Sequence, residues 1–360
     1  MSNQQFLLYG ANGYTAGLII ELAARYGLQP VLGGRNEEKI AALARQAGLQ
    51  YRIADLGDAG AVDAMLQGLA VVLHCAGPFS ATARPMQEAC LRTGTHYLDI
   101  TGEIAVFEGG AARHQEALER NIMLMSGVGF DVVPTDCMAL YLKQKLPDAS
   151  HLQLAFMTRG GKVSKGTATT AAENLGAGGM VRHNGKLKKV PTAHKTIQVP
   201  FAGSKPTPCM AIPWGDLSTA YHTTAIPNIE TFMGASAMTL KLAKLSNYMN
   251  WLLASRWVKQ FLKAQIKRTV TGAGEEARKA ARSYVWGKAW NAKGEEVQAL
   301  LTAPDGYTLT ALAALTITKK VLEGSWQPGF QTPAGLYGPD LVLELEGVER
   351  QDLPGTGQAL

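Results

Sequence analysis

The chain has 360 residues, a composition typical of globular proteins and a formal net charge of +6. This length exceeds one ordinary hydrophobic core, so we expect two domains. The four cysteines show no C-x-x-C spacing, so the sequence indicates neither a zinc site nor a disulfide framework, and no metal is expected. Because there is no signal-peptide pattern and no apolar stretch long enough to span a bilayer, the sequence predicts a cytoplasmic protein.

The first 130 residues alternate apolar runs, which suit buried strands, with amphipathic stretches, which suit helices. Predicted strands lie near 5–10, 29–34, 50–54, 70–75, 96–100 and 122–127, and predicted helices lie over 14–26, 37–47, 58–67, 82–93 and 105–120. Strands that alternate with helices of this length form parallel β-α-β units. We therefore expect an α/β fold that begins with a doubly wound parallel sheet.

The pattern changes after a helix predicted over 135–146. Residues 151–230 resemble strands and loops, residues 284–303 resemble strands joined by a turn, and residues 308–322 resemble an apolar helix. A Pro- and Gly-rich end follows, with a short helix expected over 340–347. The second half of the chain therefore lacks the regular alternation of the first.

Charge is distributed unevenly along the chain. Residues 151–300 carry 21 Lys and Arg against 7 Asp and Glu, a balance of +14, whereas residues 1–150 (11 against 15) and 301–360 (3 against 7) each carry −4. A basic excess suits an acidic substrate, a membrane surface or nucleic acid. No nucleic-acid-binding motif accompanies it, so no nucleic acid is expected. Within 232–268, a packed helix with solvated lysines is favoured over a peripheral membrane contact.

A glycine-rich turn separates the first predicted strand from the first predicted helix. It has the spacing Gly10-x-x-Gly13-x-x-Ala16, one residue longer in its first interval than the G-x-G-x-x-G/A fingerprint of dinucleotide-binding Rossmann domains. Backbone amides at a helix N-terminus carry partial positive charge and bind phosphate. The cofactor-binding residues predicted in this turn are Gly10, Ala11, Asn12, Gly13, Tyr14 and Thr15.

The residue that follows the second strand indicates which dinucleotide binds. NAD enzymes usually have Asp or Glu there to hold the ribose 2′-hydroxyl, whereas this chain has Arg35. A guanidinium can bind a 2′-phosphate through two bonds and can stack on adenine, so the sequence favours NADP(H). The other predicted cofactor-binding residues are Asp55, which could instead begin a turn, and Cys75, Ala76, Gly77, Pro78 and Phe79 beside the nicotinamide.

Two later segments carry more information than the glycines. They are His96–Glu103 (HYLDITGE) and Gly127–Asp136 (GVGFDVVPTD), and with the opening turn they resemble the saccharopine dehydrogenase-like family, especially its bacterial branch with trans-acting enoyl reductases. The resemblance implies a Rossmann domain over 1–135, an inserted mixed-sheet α+β domain over 136–305 for substrate binding or dimerisation, and a C-terminal segment over 306–360 that returns to the first domain. It also implies a homodimer and an NADP-dependent oxidoreductase.

The first segment continues beyond the strand predicted over 96–100, and the second follows the strand predicted over 122–127. Both therefore reach the carboxyl edge of the sheet, where open α/β sheets bind ligands. Glu103, Phe130 and Asp131 are therefore expected to line a substrate cleft, although Glu103 and Asp131 could equally be caps.

The resemblance implies nicotinamide-dependent reduction, and we expect the reduced bond to be C=C (enoyl) or C=N. The Met-, Trp- and Leu-rich stretch 232–262 suits an acyl or lipid-like substrate, whereas the arginines of the basic domain could equally hold a substrate with several carboxylates. The candidate proton donors are Tyr97, Asp131 and His222.

Two alternatives stay open. A short-chain dehydrogenase would use Tyr-x-x-x-Lys, which occurs at Tyr141 and Lys145, although the same spacing at Tyr284 and Lys288 indicates chance. A non-catalytic NADP(H)-binding protein would use its basic amphipathic segment to bind a membrane or a partner.

Overall fold

The computed structural model describes residues 5–161, 163–173, 175–201, 205–270 and 274–354. The chain divides into two compact units, and each unit is assembled from two stretches of sequence. The first unit contains Met1–Val133 and Tyr307–Tyr337, and the second contains Pro134–Gly306 and Gly338–Leu360.

The described residues form strands and α-helices in both units. The strands are β1 (Gln5–Tyr9), β2 (Gln29–Gly34), β3 (Tyr51–Ile53), β4 (Val71–His74), β5 (His96–Asp99), β6 (Met123–Met125), β7 (His151–Arg159), β8 (Gly179–His183), β9 (Lys186–Val190), β10 (Thr196–Val199), β11 (Thr207–Ala211), β12 (Asn228–Gly234), β13 (Arg282–Trp290), β14 (Glu296–Ala303), β15 (Gly329–Phe330) and β16 (Glu349–Leu353).

The helices are α1 (Tyr14–Ala23), α2 (Glu37–Ala47), α3 (Ala59–Leu66), α4 (Phe79–Thr93), α5 (Ile104–Ala111), α6 (His114–Glu119), α7 (Val133–Lys145), α8 (Lys165–Glu173), α9 (Asp216–Thr224), α10 (Ala237–Ser246), α11 (Asn250–Leu253), α12 (Arg256–Thr269), α13 (Glu275–Ala280), α14 (Gly306–Leu322) and α15 (Pro333–Tyr337). Short 3-10 segments lie at Ala24–Tyr26, Asn247–Met249 and Leu341–Glu344. No helix among the described residues is long and apolar enough to cross a bilayer.

The first unit is built on a seven-stranded parallel sheet with the order β15-β6-β5-β4-β1-β2-β3. Strands β1 and β4 are almost wholly buried, as parallel strands covered by helices on both faces should be. The chain runs outward from β1 to β3 and then returns to β4, so the strand order reverses between β1 and β4. Open α/β sheets bind ligands at the carboxyl ends of strands beside such a reversal. The predicted Rossmann fold is confirmed.

The second unit is built on a nine-stranded mixed sheet, which confirms the predicted second domain type. Its main order is β10-β11-β12-β7-β13-β14-β16, and the β8–β9 hairpin joins at β12. Strands β7 and β12 are parallel, whereas the other neighbours are antiparallel. One face buries an apolar cluster that includes Phe201, Phe232 and Trp286.

The structure differs from the sequence expectation in two places. Helices α8 and α9 lie within the stretch that was expected to hold strands and loops. They were not predicted because their Thr- and Ala-rich sequences carry no clear helical stripe of apolar residues. Residues 338–360 belong to the second unit, although all of 306–360 was expected to return to the first. Their strand β16 pairs with β14 at the edge of the second sheet. Its polar sequence ERQDL suits an edge strand and gives no apolar alternation to recognise.

A buried carboxylate joins the loops that follow β5 and β6. Asp99 is the last residue of β5 and is fully buried. Its Oδ2 accepts hydrogen bonds from Tyr97 Oη (2.7 Å) and Ser126 Oγ (2.9 Å), and its Oδ1 accepts from the amides of Thr101 (3.0 Å) and Gly127 (2.9 Å). Burial raises the pKa of Asp99, although these donors act in the opposite direction. The carboxyl group therefore fixes both loops at the edge of the sheet.

We expect Asp99→Ala to lower the free energy of unfolding of the first unit by at least about 3 kcal/mol, because it leaves four donors without their acceptor. Urea denaturation followed by circular dichroism measures the change. The control is Asp63→Ala, which removes a surface ion pair with Arg92 (2.8 Å) and should cost less than about 1 kcal/mol. Equal losses in the two variants would contradict the anchoring role of Asp99.

Candidate active site

The glycine turn joins β1 to α1 at the carboxyl edge of the first sheet. Gly10 has a φ of 85°, a left-handed value that favours glycine, and its amide donates to Gly33 O at 2.9 Å. The Ala11 amide donates to the same oxygen at 3.1 Å, and the Gly13 amide donates to Gly10 O at 2.9 Å. No side chain caps α1, and its first turn contains no acidic residue. This helix N-terminus therefore suits a negatively charged ligand.

The turn after β1 packs directly against the turn after β4. A Cβ added to Gly10 would lie 2.7 Å from Ala76 N, so no larger residue fits there without displacing backbone. A Cβ on Gly13 would lie 3.1 Å from Gly10 O. The Cys75 amide donates to Tyr9 O at 2.8 Å and continues the pairing of β4 with β1. Two turns of small residues thus meet at the strand-order reversal and form a cradle at the place where open α/β sheets bind ligands.

The remaining residues of the turn differ in exposure. Ala11 is buried, Asn12 is exposed, and Tyr14 and Thr15 are half-buried. The Tyr14 ring contacts the Tyr307 ring edge-on, with centroids 5.0 Å apart. Asn12, Tyr14 and Thr15 are therefore accessible to a ligand, whereas the Ala11 side chain packs inward.

Two charged residues predicted to bind the adenosine end follow β2 and β3. Arg35 is exposed directly after β2, and the next residue, Asn36, caps α2 by accepting from Lys39 N at 2.9 Å. Asp55 is also exposed, and its Oδ1 accepts from Gly57 N at 2.8 Å, which makes it the first residue of a turn. Asp55 thus has a local structural role, while the guanidinium of Arg35 is accessible.

The loop after β4 is connected through hydrogen bonds to a buried histidine, His74, which was not among the predicted site residues. His74 is fully buried, and its Nε2 donates to Thr82 Oγ1 (3.0 Å), because the Thr82 hydroxyl itself donates to Ala76 O (2.6 Å). Burial lowers the pKa of His74 to about 3, so the ring is neutral. The sequence signal was a polar residue that ends the apolar run Val71–His74.

The carboxylate of Glu103 accepts hydrogen bonds from the other end of the same loop. Its Oε1 and Oε2 accept from the amides of Phe79 and Ser80, each at 2.9 Å, at the start of α4. From the sequence, Glu103 could cap the helix that follows it, but α5 receives no side-chain cap. Glu103 instead caps α4, where a carboxylate is favoured by the helix dipole. The predicted segment Cys75–Phe79 therefore has its position fixed at both ends.

Asp131 and Phe130 lie in the loop after β6, next to the loop after β5. The amide of Phe130 donates to Thr310 Oγ1 at 3.0 Å. A Cβ added to Gly102 would lie 2.7 Å from Asp131 Oδ2, so the carboxyl group packs against bare backbone. The Asp131 side chain is half-buried, and desolvation raises its pKa to about 7. A carboxyl group that is part protonated near neutral pH can act as a general acid.

The other two candidate proton donors differ in their exposure. Tyr97 is fully buried in the core, where its hydroxyl is committed to Asp99, so it lies away from any surface that a substrate reaches. His222 is exposed on α9 in the second unit. Within the described ranges, no group of three or more His, Cys, Asp or Glu side chains is arranged to hold a metal ion.

Comparison with known proteins agrees with this geometry. Residues 6–125 match the family described as the saccharopine dehydrogenase NADP binding domain. The predicted resemblance is confirmed, and the first unit carries a nicotinamide dinucleotide-binding domain.

The chain is also similar to whole proteins. It is 26% identical over 234 residues to the saccharopine dehydrogenase-like oxidoreductase of Bos taurus, an alignment that covers 57% of this chain and 53% of the relative. It is 30% identical over 138 residues to the trans-acting enoyl reductase of Mycobacterium leprae (strain TN), covering 36% and 33%. The chain therefore spans about half the length of the curated saccharopine dehydrogenase-like relative.

A solved structure shares the fold over almost the entire chain. Apo saccharopine dehydrogenase (L-Glu forming) from Saccharomyces cerevisiae has a TM-score of 0.68 at 15% identity, and the match covers 97% of this chain and 100% of that one. At this identity the likeness extends to the fold alone.

The Tyr-x-x-x-Lys spacing does not lie in the NADP-binding domain. Tyr141 and Lys145 are on α7, and both bind the carboxylate of Asp352 in the second unit; the Tyr141 Oη–Asp352 Oδ1 distance is 2.8 Å. The guanidinium carbon of Arg350 lies 3.6 Å from the centroid of the Tyr141 ring. The pair therefore fixes β16 and its neighbours, and the short-chain dehydrogenase interpretation is not supported by its position.

We expect Gly10→Ala to weaken NADPH binding at least about tenfold, because the new methyl group meets Ala76 N and the backbone conformation favours glycine. NADPH fluorescence titration measures the dissociation constant. The control is Gly17→Ala in α1, where an added Cβ has no neighbour within 4 Å and should leave binding unchanged. Wild-type affinity in the Gly10 variant would show that the cradle does not hold the cofactor.

Proposed function

We propose that this protein is an NADP(H)-dependent oxidoreductase that reduces an enoyl C=C bond or a C=N bond. The observation that carries the proposal is the cradle of Gly10, Gly13 and Ala76 at the strand-order reversal, within a domain of the saccharopine dehydrogenase NADP-binding type. The Bos taurus relative is an oxidoreductase by name, which supports the reaction class.

The preference for a 2′-phosphate rests on Arg35. Its guanidinium is exposed immediately beyond β2, and Asn36 rather than Arg35 caps the helix that follows. The arginine is therefore available to pair with a phosphate, which it can do through two charge-assisted hydrogen bonds. A carboxylate at this position would instead favour a free ribose hydroxyl.

The reduced bond requires a proton as well as a hydride. When bound, the reduced nicotinamide supplies the hydride. We assign the proton to Asp131, because its carboxyl group is part protonated near neutral pH and lies at the carboxyl edge of the sheet. Phe130 beside it offers an apolar surface for substrate, while Glu103 acts indirectly by fixing the start of α4.

The C=C reaction is the first candidate because the Mycobacterium leprae relative is named a trans-acting enoyl reductase. That alignment covers only a third of each chain, so the acyl substrate is part of the proposal. A non-catalytic NADP(H)-binding protein is the alternative. Following NADPH consumption at 340 nm with enoyl thioesters and cyclic imines separates the two, because a non-catalytic protein oxidises NADPH with neither.

We expect Arg35→Asp to weaken NADPH binding by about 10- to 100-fold, because two charge-assisted hydrogen bonds are replaced by repulsion, and to leave NADH binding equal or improved. Titration of both cofactors measures the ratio. Lys39→Asp on the neighbouring helix makes the same charge change and should leave the ratio near that of the wild type. A ratio that moves equally in both variants would point to general electrostatics rather than to recognition by Arg35.

We expect kcat to fall as the pH rises through about 7, because the protonated form of Asp131 is the donor. Asp131→Asn should lower kcat by about 100-fold and remove this pH dependence. Steady-state rates between pH 5 and 9 test both points, with the NADPH dissociation constant as the check that the domain is intact. An unchanged profile in the Asn variant would exclude Asp131 as the acid.

A further inference from the structure

The helical segment 237–269 of the second unit exposes an unusual number of large apolar side chains. Trp251, Trp257 and Tyr248 have 79%, 85% and 82% of their surfaces exposed. Exposed large hydrophobic residues in the same segment also include Met238, Leu242, Leu245, Met249, Leu252 and Phe261. The sequence favours a packed helix with solvated lysines here, and that expectation is wrong, because these large apolar side chains face solvent. We call these nine residues the apolar surface of α10–α12.

The other side of the segment is attached to the second unit. Lys263 forms an ion pair with Glu173 of α8, and Lys259 Nζ donates to Glu173 O at 2.6 Å. Asn247 exchanges hydrogen bonds with the backbone of Thr192, at 2.8 Å to its amide and 3.0 Å to its carbonyl. The helices thus have an inner side fixed by polar contacts and an outer side of apolar residues.

The charges around the apolar surface have one sign. Residues 231–274 contain seven Lys and Arg and no Asp or Glu. Lys241, Lys244, Arg256 and Arg268 are exposed, and none of them takes part in an ion pair among the described residues. A shallow depression beside α10 is lined by Pro191, Lys241, Lys244, Leu245, Asn247 and Tyr248. It offers two ammonium groups and no carboxylate, which suits a phosphate group.

We propose that the apolar surface of α10–α12 binds the surface of an anionic lipid bilayer. Exposed tryptophan, tyrosine and phenylalanine beside unpaired lysine and arginine are the composition of helices that lie in the headgroup layer. The aromatic rings enter the boundary between headgroups and acyl chains, while Lys241, Lys244 and Arg256 pair with lipid phosphates. A second copy of this chain fits less well, because it would bring the same positive charges together.

Vesicle sedimentation tests the proposal with the full-length protein. The wild type should bind vesicles of phosphatidylcholine and phosphatidylglycerol and bind phosphatidylcholine alone far more weakly, and binding should weaken with added salt. The Trp251→Ser, Trp257→Ser, Phe261→Ser triple variant should lose at least about tenfold in partitioning. Leu343→Ser, which changes an exposed apolar residue outside the segment, is its control and should bind as the wild type does.

A second pair of variants tests the contribution of the lysine charges to vesicle binding. Lys241→Glu with Lys244→Glu should reduce binding to anionic vesicles by at least about tenfold. Arg45→Glu with Arg120→Glu makes the same change in net charge on exposed residues of the first unit and should leave binding near that of the wild type. Equal loss in both double variants would contradict a localised site.

Two further results would overturn the proposal. One is a wild-type protein that binds neither vesicle, or binds both equally. The other is sedimentation velocity in which the wild type self-associates and the triple variant is monomeric, without vesicle binding, since a second copy would then cover the surface. NADPH titration of each variant shows that folding is intact, and its result is independent of any reductase activity.

Discussion

The candidate dinucleotide site proposed above depends on one close approach, that of the Gly10 backbone to the Ala76 backbone. The two residues follow neighbouring strands, β1 and β4, and the contact allows no side chain between them. Two side chains fix the loop that carries Ala76. The Thr82 hydroxyl donates to Ala76 O, and the Glu103 carboxylate accepts from the amides at the start of α4. A cradle fixed from several directions before any ligand arrives loses little entropy on binding, which is the general condition for tight phosphate recognition.

Two aspartates at the same edge of this sheet differ in their burial. Asp99 is fully buried and accepts four hydrogen bonds, so it connects the loops that follow β5 and β6. Asp131 is half-buried, and its pKa is raised to about 7, so its charge can change in the range where an enzyme works. Sequence position alone does not distinguish them, because Asp99 ends one strand of the sheet and Asp131 lies in the loop after the next strand.

Local patterns predicted the first unit well and the second less well. The alternation of apolar and amphipathic runs predicted β1 to β6, because all of these strands except the short edge strand β3 are almost wholly buried. The edge strand β16 and the helices α8 and α9 lack such periodicity, so nothing local identified them. In the site, the glycines were recognisable from spacing, whereas the roles of His74 and Glu103 depend on contacts that spacing does not encode. The exposure of Trp251 and Trp257 could not be predicted from the sequence. Apolar residues recur at the same helical spacing whether the face that they form is buried or exposed to solvent, so only tertiary structure decides between the two.

The seventh strand of the first sheet has a consequence for biosynthesis. Strand β15 lies beside β6, with the Gly329 amide bonded to Ile122 O at 2.9 Å and the Gln331 amide bonded to Leu124 O at 2.9 Å. A ribosome must therefore translate residues 134–306, the first stretch of the second unit, before the open edge of β6 can be covered, and nascent chains carry that edge throughout. A premature stop codon anywhere in the insertion would leave the nucleotide-binding sheet unfinished as well as removing the insertion itself.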